Sequence, residues 1–220
     1  MKNRRGLGPL LITTLVFAAG FLVAPPTGGV AHAGGPVERH GWTVGLATRV
    51  GRADVELHGA PADLDWARGA SPEFRVGKML GDHWMIGLQE RQWLNEGGIA
   101  GYKVRGNVQN LGLLLTAFPG STKNMASGIF LQVGGGIAHG RLSALEPYDP
   151  SPNEWGETYE VIEKHDAKGW GASAAAGYEF RIASHFAAGV STTYNYLEFD
   201  DEIYDRVEFF TSGLNLNWYF

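Results

Sequence analysis

The stretch Gly213-Leu214-Asn215-Leu216-Asn217-Trp218-Tyr219-Phe220 decides the fold class. Its large apolar residues recur at every second position, mostly with glycine or asparagine between them. Strict alternation is typical of a half-buried β-strand, because successive side chains of a strand point to opposite faces of a sheet. The stretch therefore predicts a strand with Leu214, Leu216, Trp218 and Phe220 on one apolar face.

The same alternation continues upstream. Seven further segments are predicted as strands: Gly41–Val50, Glu73–Leu80, His83–Trp93, Asn107–Phe118, Ile129–Leu142, Trp170–Arg181 and Phe186–Tyr196. Leu114 falls on the polar face of its segment, which favours a bulge nearby. Lys78 falls on an apolar face, where its long side chain could snorkel to a polar boundary. The total is eight strands, an even number.

The predicted connections alternate strictly between short and long. Short turns are predicted at Gly81-Asp82, at 119–126 and at 182–185, whereas longer polar loops are predicted at 51–70, 95–106, 143–167 and 199–206. A barrel with tight turns at one rim and loops at the other produces this order, as transmembrane barrels do. A soluble sandwich gives no reason for such regular sorting.

Aromatic residues fall at both ends of the predicted strands. Those at the short-turn ends are Trp42, Trp84, Tyr178, Phe180, Phe186, Trp218 and Phe220. Those at the long-loop ends are Trp93, Tyr102, Trp170, Tyr194, Tyr196, Phe209 and Phe210. Aromatic rings favour the boundary between membrane and water, so the pattern predicts two aromatic girdles.

Composition excludes several classes of protein. Mean hydropathy is −0.14, too polar for a bundle of membrane-spanning helices. The net charge of −5 argues against a nucleic-acid partner held by phosphate contacts. Glycine accounts for 32 of the 220 residues. Cysteine is absent, which excludes a disulfide scaffold.

The N-terminal segment has the order of a secretory signal peptide. Basic residues in 1–5 are followed by an apolar run from Leu10 to Ala24 and by the small-residue triplet at 31–33. The run is shorter than the roughly 20 residues that a spanning helix needs. We therefore predict a signal peptide at 1–33 and a barrel domain at 34–220.

The sequence resembles small eight-stranded bacterial outer-membrane β-barrels of the outer membrane protein A and X type. The resemblance rests on the C-terminal Leu214–Phe220 stretch, which is similar to the family's β-signal, and on Gly177–Phe180 before a tight turn. It implies an all-β, antiparallel, up-and-down transmembrane barrel in the outer membrane of a Gram-negative cell. It also implies that the barrel-assembly machinery recognises Leu214, Leu216, Trp218 and Phe220. Both termini are expected in the periplasm and the long acidic loops outside the cell. The expected state is a monomer surrounded by outer-membrane lipid and lipopolysaccharide.

The inward faces of the predicted strands carry charged and amide residues. We expect a hydrogen-bonded ladder that fills the lumen, formed by Arg49, Glu73, Arg75, Gln89, Arg91, Gln132, Glu179, Arg181, Asn215 and Asn217. Because an unpaired buried charge is costly, Glu73 and Glu179 are expected to pair with arginines. The alternative is a narrow path for ions, since a ring of charge can select permeants.

Two of the predicted loops are acidic. The loop 143–167 contains Glu146, Asp149, Glu154, Glu157, Glu160, Glu163 and Asp166, and the loop 199–206 contains Asp200, Asp201, Glu202 and Asp205. Such carboxylates could hold divalent cations, but no calcium-loop spacing is present. We favour the simpler interpretation, a solvated and repulsive surface loop.

Catalytic candidates are sparse. His139 lies near a loop end with Ser143 four residues on, Glu198 ends a strand, and His83 and His185 lie near turns. Outer-membrane enzymes that modify lipid A use a His–Ser or His–Asp–Ser set, but their local motifs match nothing here. We therefore predict a structural or surface-interaction role without catalysis, cofactor or metal. A lipid A deacylase or acyltransferase and a small-solute pore are the alternatives.

Overall fold

A computed structural model describes residues 41–57, 64–99, 102–119, 128–148, 158–183, 185–201 and 204–220. The predicted signal peptide at 1–33 lies outside the described residues. The eight strands are β1 (Trp42–Leu57), β2 (Leu64–Met79), β3 (Trp84–Ile99), β4 (Tyr102–Ala117), β5 (Gly128–Tyr148), β6 (Thr158–Ala183), β7 (Phe186–Phe199) and β8 (Tyr204–Tyr219). None of the described residues forms a helix long and apolar enough to span a membrane.

The strands pair in chain order as a closed antiparallel barrel, which confirms the predicted fold class. Closure joins β1 to β8, where Trp42 N–H donates to the Phe220 carbonyl (2.7 Å) and Phe220 N–H donates to the Trp42 carbonyl (2.9 Å). Gly41 enters this seam with φ +82°, and a Cβ there would lie 2.2 Å from the Phe220 carbonyl oxygen. Closure leaves no strand of the sheet with an unpaired edge.

The pairing register defines the shear of the barrel and the tilt of its strands. A row of directly opposite residues that starts at Trp42 and passes through every strand returns to β1 at Arg52. The shear is therefore about ten residues, and the strands tilt by roughly 40° from the barrel axis. At about 3.3 Å per residue, Arg52 lies about 25 Å above Trp42 along the axis.

Inward and outward residues alternate as predicted along most of each strand, although Gln92, at an outward position of β3, is also buried. On β7, buried residues alternate without exception with half-buried or exposed ones. Leu114 is buried in an uninterrupted register with β3 and β5, so the bulge predicted near it is wrong. The leucine is simply an apolar residue on the inner face. Lys78 is exposed, and its Nζ lies 5.9 Å from the centre of the Trp42 ring.

The strands extend far into the predicted long loops. In β3 and β4 the pairing continues to Ile99 opposite Tyr102, so most of the predicted loop 95–106 is strand. β5 and β6 likewise pair up to Tyr148 opposite Thr158. The predicted lengths of these two loops are wrong because backbone hydrogen bonds continue where apolar alternation stops.

We call the end of the barrel that carries these long connections the loop end. The opposite end, with Gly41 and Phe220, is the turn end.

The turn between β2 and β3 is one residue longer than predicted. Leu80 N–H donates to the Trp84 carbonyl (2.7 Å), which encloses Gly81 to His83. Gly81 has φ +75°, a conformation that glycine adopts without strain. Between β4 and β5, most of the predicted turn at 119–126 lies outside the described residues.

The turn-end girdle lies on the outer face, with six of its predicted members exposed and Phe186 half-buried. At the loop end Trp170, Tyr194 and Phe210 are exposed, whereas Trp93 and Phe209 are 1% and 2% exposed inside the barrel. The prediction for these two residues is wrong because they share the inward parity of their strands. Tyr102 lies outside the described side chains. Large apolar residues cover the outer face between the two girdles.

Candidate functional site

The barrel interior consists of three layers. Apolar side chains fill the loop end: Ala53, Trp93, Val108, Ala138, Ala167, Leu197, Phe199, Val207 and Phe209. A second apolar layer fills the turn end: Met79, Met85, Leu114, Phe118, Phe130, Ala187 and Tyr219. Buried polar and charged side chains form the central layer between them, including nine of the ten residues predicted for the ladder.

Glu73 is the centre of the central layer. Its carboxylate accepts hydrogen bonds from Arg49 Nη1 (2.9 Å) and Arg91 Nε (2.6 Å). Arg75 Nη1 lies 3.5 Å from the other carboxylate oxygen. Glu73 and Arg91 lie directly opposite each other on β2 and β3, while Arg49 comes from β1. The predicted pairing of Glu73 with arginines is confirmed.

Amide and hydroxyl groups accept further hydrogen bonds from the three arginines. Arg75 donates to Asn217 Oδ1 from Nη2 (2.7 Å) and to Gln132 Oε1 from Nη1 (3.1 Å). Arg91 donates to Asn195 and Arg49 to Ser191 Oγ (3.1 Å). The network thus ties together strands on opposite sides of the barrel, so it braces the wall from within.

Glu179 lies on β6 at the lower side of this layer. It accepts hydrogen bonds from Tyr219 Oη (2.7 Å) and Asn217 Nδ2 (3.3 Å). Its predicted arginine partner stays a prediction. Arg181, which was expected in the ladder, lies half-buried at the turn end, where its Nε donates to the Ala183 carbonyl (2.8 Å). The register shift between Arg181 and Ala183 accompanies this change.

The loop-end layer is built around two aromatic rings. Trp93 and Phe209 stack with their centroids 5.3 Å apart and an interplanar angle of 25°. They lie between the central layer and the mouth of the barrel, and the small side chains of Ala53, Ala138 and Ala167 make room for them. This layer therefore separates the buried charges from water at the loop end.

The turn-end layer does the same at the other mouth. Phe118 and Phe130 contact each other with centroids 6.4 Å apart, and the guanidinium of Arg75 lies 5.9 Å from the centre of the Phe130 ring. A cavity of about 10 Å³ remains between this layer and the central layer, lined among others by Thr43, Arg75 and Glu179. That volume suits roughly one water molecule. The interior is packed rather than open.

The described residues around His139 do not form a catalytic group. His139 lies on the outer face of β5, directly opposite Gln109 and Lys168. Ser143 is four residues further along the extended strand, about 13 Å away. Asp166 Oδ1 lies 4.0 Å from His139 Nε2 but accepts a hydrogen bond from Arg141 Nε at 2.6 Å.

The other polar candidates lie apart from one another. At the loop end Glu198 is exposed and accepts a hydrogen bond from Tyr196 Oη (3.1 Å). At the turn end His83 Nδ1 contacts the Phe118 carbonyl (3.1 Å), and His185 is exposed. Of the acidic loop residues, Asp201 contacts His165 Nε2 at 2.6 Å. Asp149, Glu154, Glu157 and Glu202 lie outside the described residues. The described residues contain no cluster of three metal-binding side chains.

Sequence reasoning missed both apolar layers. The signal was present, because the parity that places Arg91 inside also places Trp93 inside, and the parity of Asn215 does the same for Phe209. What alternation could not supply is which inward residues meet across the lumen. Those contacts depend on shear, which only the pairing register defines.

No protein-family model and no curated protein matches the sequence. Solved structures share the fold at low sequence identity. Neisserial surface protein A has a TM-score of 0.54 and 12% identity, over 81% of this chain and 97% of that one. Ail of Yersinia pestis, the attachment invasion locus protein, has a TM-score of 0.51 and 12% identity, over 81% of this chain and 99% of its own. The chain therefore has the fold of small eight-stranded outer-membrane β-barrels.

Proposed function

We propose that this chain is an integral outer-membrane protein with a structural or surface-interaction role, and that it performs no chemistry. The outer face of the closed barrel carries the proposal. Its exposed apolar residues between the two aromatic girdles, which we call the belt, surround an interior that is filled with side chains. A barrel that encloses all its backbone hydrogen bonds can cross hydrocarbon. A belt about 25 Å tall matches the apolar band of transmembrane barrels.

The outer face argues against a water-soluble barrel. Leu113, Ile137 and Leu214 are more than 60% exposed, on three different strands of the wall. Soluble monomers rarely expose contiguous apolar patches of more than a few hundred Å². Lipid is the environment that makes this surface favourable, so the belt supports insertion into a bilayer.

The placement of the ends follows from the proposal. The termini at the turn end would lie in the periplasm, and the acidic connections at the loop end would lie outside the cell, among lipopolysaccharide. Leu214, Leu216, Trp218 and Phe220 lie exposed on the outer face of the last strand, a position that suits recognition by the barrel-assembly machinery. We expect a monomer, since closure leaves no edge for pairing.

Fractionation tests membrane insertion. The protein should be recovered with outer membranes, and unboiled samples should migrate faster on gels than boiled ones, because the folded barrel resists detergent. Recovery of the mature chain in the soluble periplasm would overturn the proposal. Phe220→Ala should slow assembly in cells, whereas Phe180→Ala, which removes another exposed turn-end aromatic, should not.

The sealed interior disfavours the pore. Both mouths are filled by apolar layers, and the charges between them bind one another. Single-channel recordings in planar bilayers should therefore stay at baseline. Steady conductance by the purified folded protein would contradict a purely structural role.

The surroundings of His139 disfavour the lipid A-modifying enzyme. Its directly opposite neighbours, Gln109 and Lys168, supply neither the hydroxyl nor the carboxylate of a His–Asp–Ser set. The lipid A mass spectrum should be identical in cells with and without the protein. A gained or lost acyl chain that depends on the protein would revive the enzyme.

A further inference from the structure

Two arginines lie side by side on the outer face at the loop end. Arg52 on β1 is directly opposite Arg68 on β2, and both side chains are exposed. The Cβ atoms of directly opposite residues are about 5 Å apart, and like charges in that position repel each other. An anion bound between the two guanidinium groups would remove this repulsion.

None of the ion pairs among the described residues includes Arg52 or Arg68, although Asp54 lies two residues above Arg52 on the same face. The neighbouring acid on β8, Glu208, already contacts Arg206 Nε (3.2 Å) and Tyr194 Oη (2.5 Å). Arg206 also binds Glu56 (2.8 Å), and Arg141 binds Asp166 (2.6 Å). Arg52 and Arg68 therefore differ from these cations of the loop end, which are paired within the chain.

The arginine pair lies at the upper boundary of the apolar belt. Arg52 is directly opposite Phe210 on β8, and Val50 lies two residues below it on the same face. Val50 and Phe210 are 68% and 51% exposed, and Ala70 below Arg68 is also exposed. A strip of apolar surface thus leads from the bilayer interior up to the guanidinium groups of Arg52 and Arg68.

We propose that Arg52 and Arg68 bind the phosphomonoester of a lipid headgroup, with the acyl chains lying against Val50, Ala70 and Phe210. The inference rests on the membrane insertion proposed above. A guanidinium presents a planar fork of N–H donors that matches phosphate oxygens bidentately. A phosphomonoester carries nearly two negative charges near neutral pH, so it can satisfy two guanidinium groups at once. Phosphorylated lipid A combines this group with acyl chains.

Titration of the folded full-length barrel in detergent micelles tests the site. The probes are diphosphorylated lipid A, phosphatidylglycerol, which carries only a phosphodiester, and inorganic phosphate. Lipid A should bind most tightly, and millimolar inorganic phosphate should not displace it, because the acyl chains contribute to binding. Arg52→Gln and Arg68→Gln should each weaken lipid A binding about fivefold, and the double variant about 25-fold.

A matched control separates this site from general charge effects. Lys78→Gln removes one exposed outward cation at the turn end and should leave lipid A binding unchanged. Arg52→Lys/Arg68→Lys keeps the charge but removes both forks, so its affinity should fall between those of the wild type and the double glutamine variant. This lysine variant also serves if the glutamine variants fail to fold.

Each outcome has a defined meaning. Equal affinity of the wild type and the folded double variant for lipid A overturns the site. Displacement by millimolar inorganic phosphate, or equal binding of phosphatidylglycerol, overturns its assignment to a lipid phosphomonoester. These results leave the membrane proposal intact, because heat-modifiable migration of the same samples tests insertion separately.

Discussion

The central layer and the two end layers of the lumen are all buried, but different interactions stabilise them. Ion pairs and hydrogen bonds stabilise the central layer, whereas apolar packing stabilises the end layers. In the central layer three guanidinium groups contact the Glu73 carboxylate, and amides and hydroxyls bind the arginines and Glu179. The end layers contain stacked rings and small apolar side chains. The apolar layers lie where the lumen meets water, and the charges lie where the outer face is surrounded by apolar residues. The difference shows that the end layers protect the network from water.

This separation makes the two regions sensitive to different changes. A buried charge network fails when one member loses its partners, because the remaining charges stay desolvated. An apolar layer fails through the cavity that a smaller side chain leaves behind. Variants of matched size but different chemistry therefore distinguish the layers.

Glu73→Gln should have the largest effect, because it leaves Arg49, Arg75 and Arg91 without the carboxylate that they share. We expect the free energy of unfolding to fall by about 5 kcal/mol. Urea unfolding in lipid vesicles, followed by tryptophan fluorescence, measures it. Glu198→Gln, at an exposed carboxylate on the outer face, should change stability by less than about 0.5 kcal/mol. Equal effects of the two variants would mean that the network contributes little.

Trp93→Ala should come next, with a loss of about 4 kcal/mol, because it leaves a cavity beside Phe209 and opens the loop-end layer. Trp170→Ala is the matched control: the ring is 52% exposed on the outer face, so its removal creates no internal cavity. Its effect should be about 1 kcal/mol. Urea unfolding of both variants gives the comparison, and a larger loss for Trp170→Ala would refute the sealing role of Trp93.

Alternation in the sequence was sufficient to predict the strand number, the closed barrel and the inward position of the central layer. It was sufficient because the side-chain period of two is a local property of each strand. The aromatic residues show what proximity to a loop end cannot predict, since Trp93 and Trp170 both lie near loop ends. Only the odd or even position of each residue along its strand shows that Trp93 faces the lumen and Trp170 faces outward. Loop lengths were overestimated, because polar hairpins such as Ile99 opposite Tyr102 pair through backbone bonds that hydropathy does not reveal.

Tyr219→Phe tests the junction between the central and turn-end layers. The ring belongs to the apolar layer while its hydroxyl donates to Glu179 (2.7 Å), so the variant removes one hydrogen bond to a carboxylate without a large cavity. The expected loss is about 2 kcal/mol. Tyr178→Phe, whose ring is exposed on the outer face, should be nearly neutral in the same urea titration. Similar values for both tyrosines would mean that the hydroxyl of Tyr219 adds nothing.

Glu90→Leu should have the smallest effect, and it should stabilise. Glu90 lies next to Arg91 on β3 and directly opposite Phe74, so it shares the depth of Glu73 but faces outward into the belt. Its hydrogen bond from Gln92 Nε2 (3.1 Å) replaces few of the contacts that water would give a carboxylate.

Leucine in place of Glu90 should raise the free energy of unfolding in lipid vesicles by about 1 kcal/mol, since an acidic residue in the band facing lipid is unfavourable. In detergent-free buffer this substitution would favour aggregation instead, so a gain that appears only in lipid would identify the belt as the lipid-facing surface. A loss of stability in lipid would mean that Glu90 binds a partner there, and that the outer face, like the lumen, depends on a buried charge.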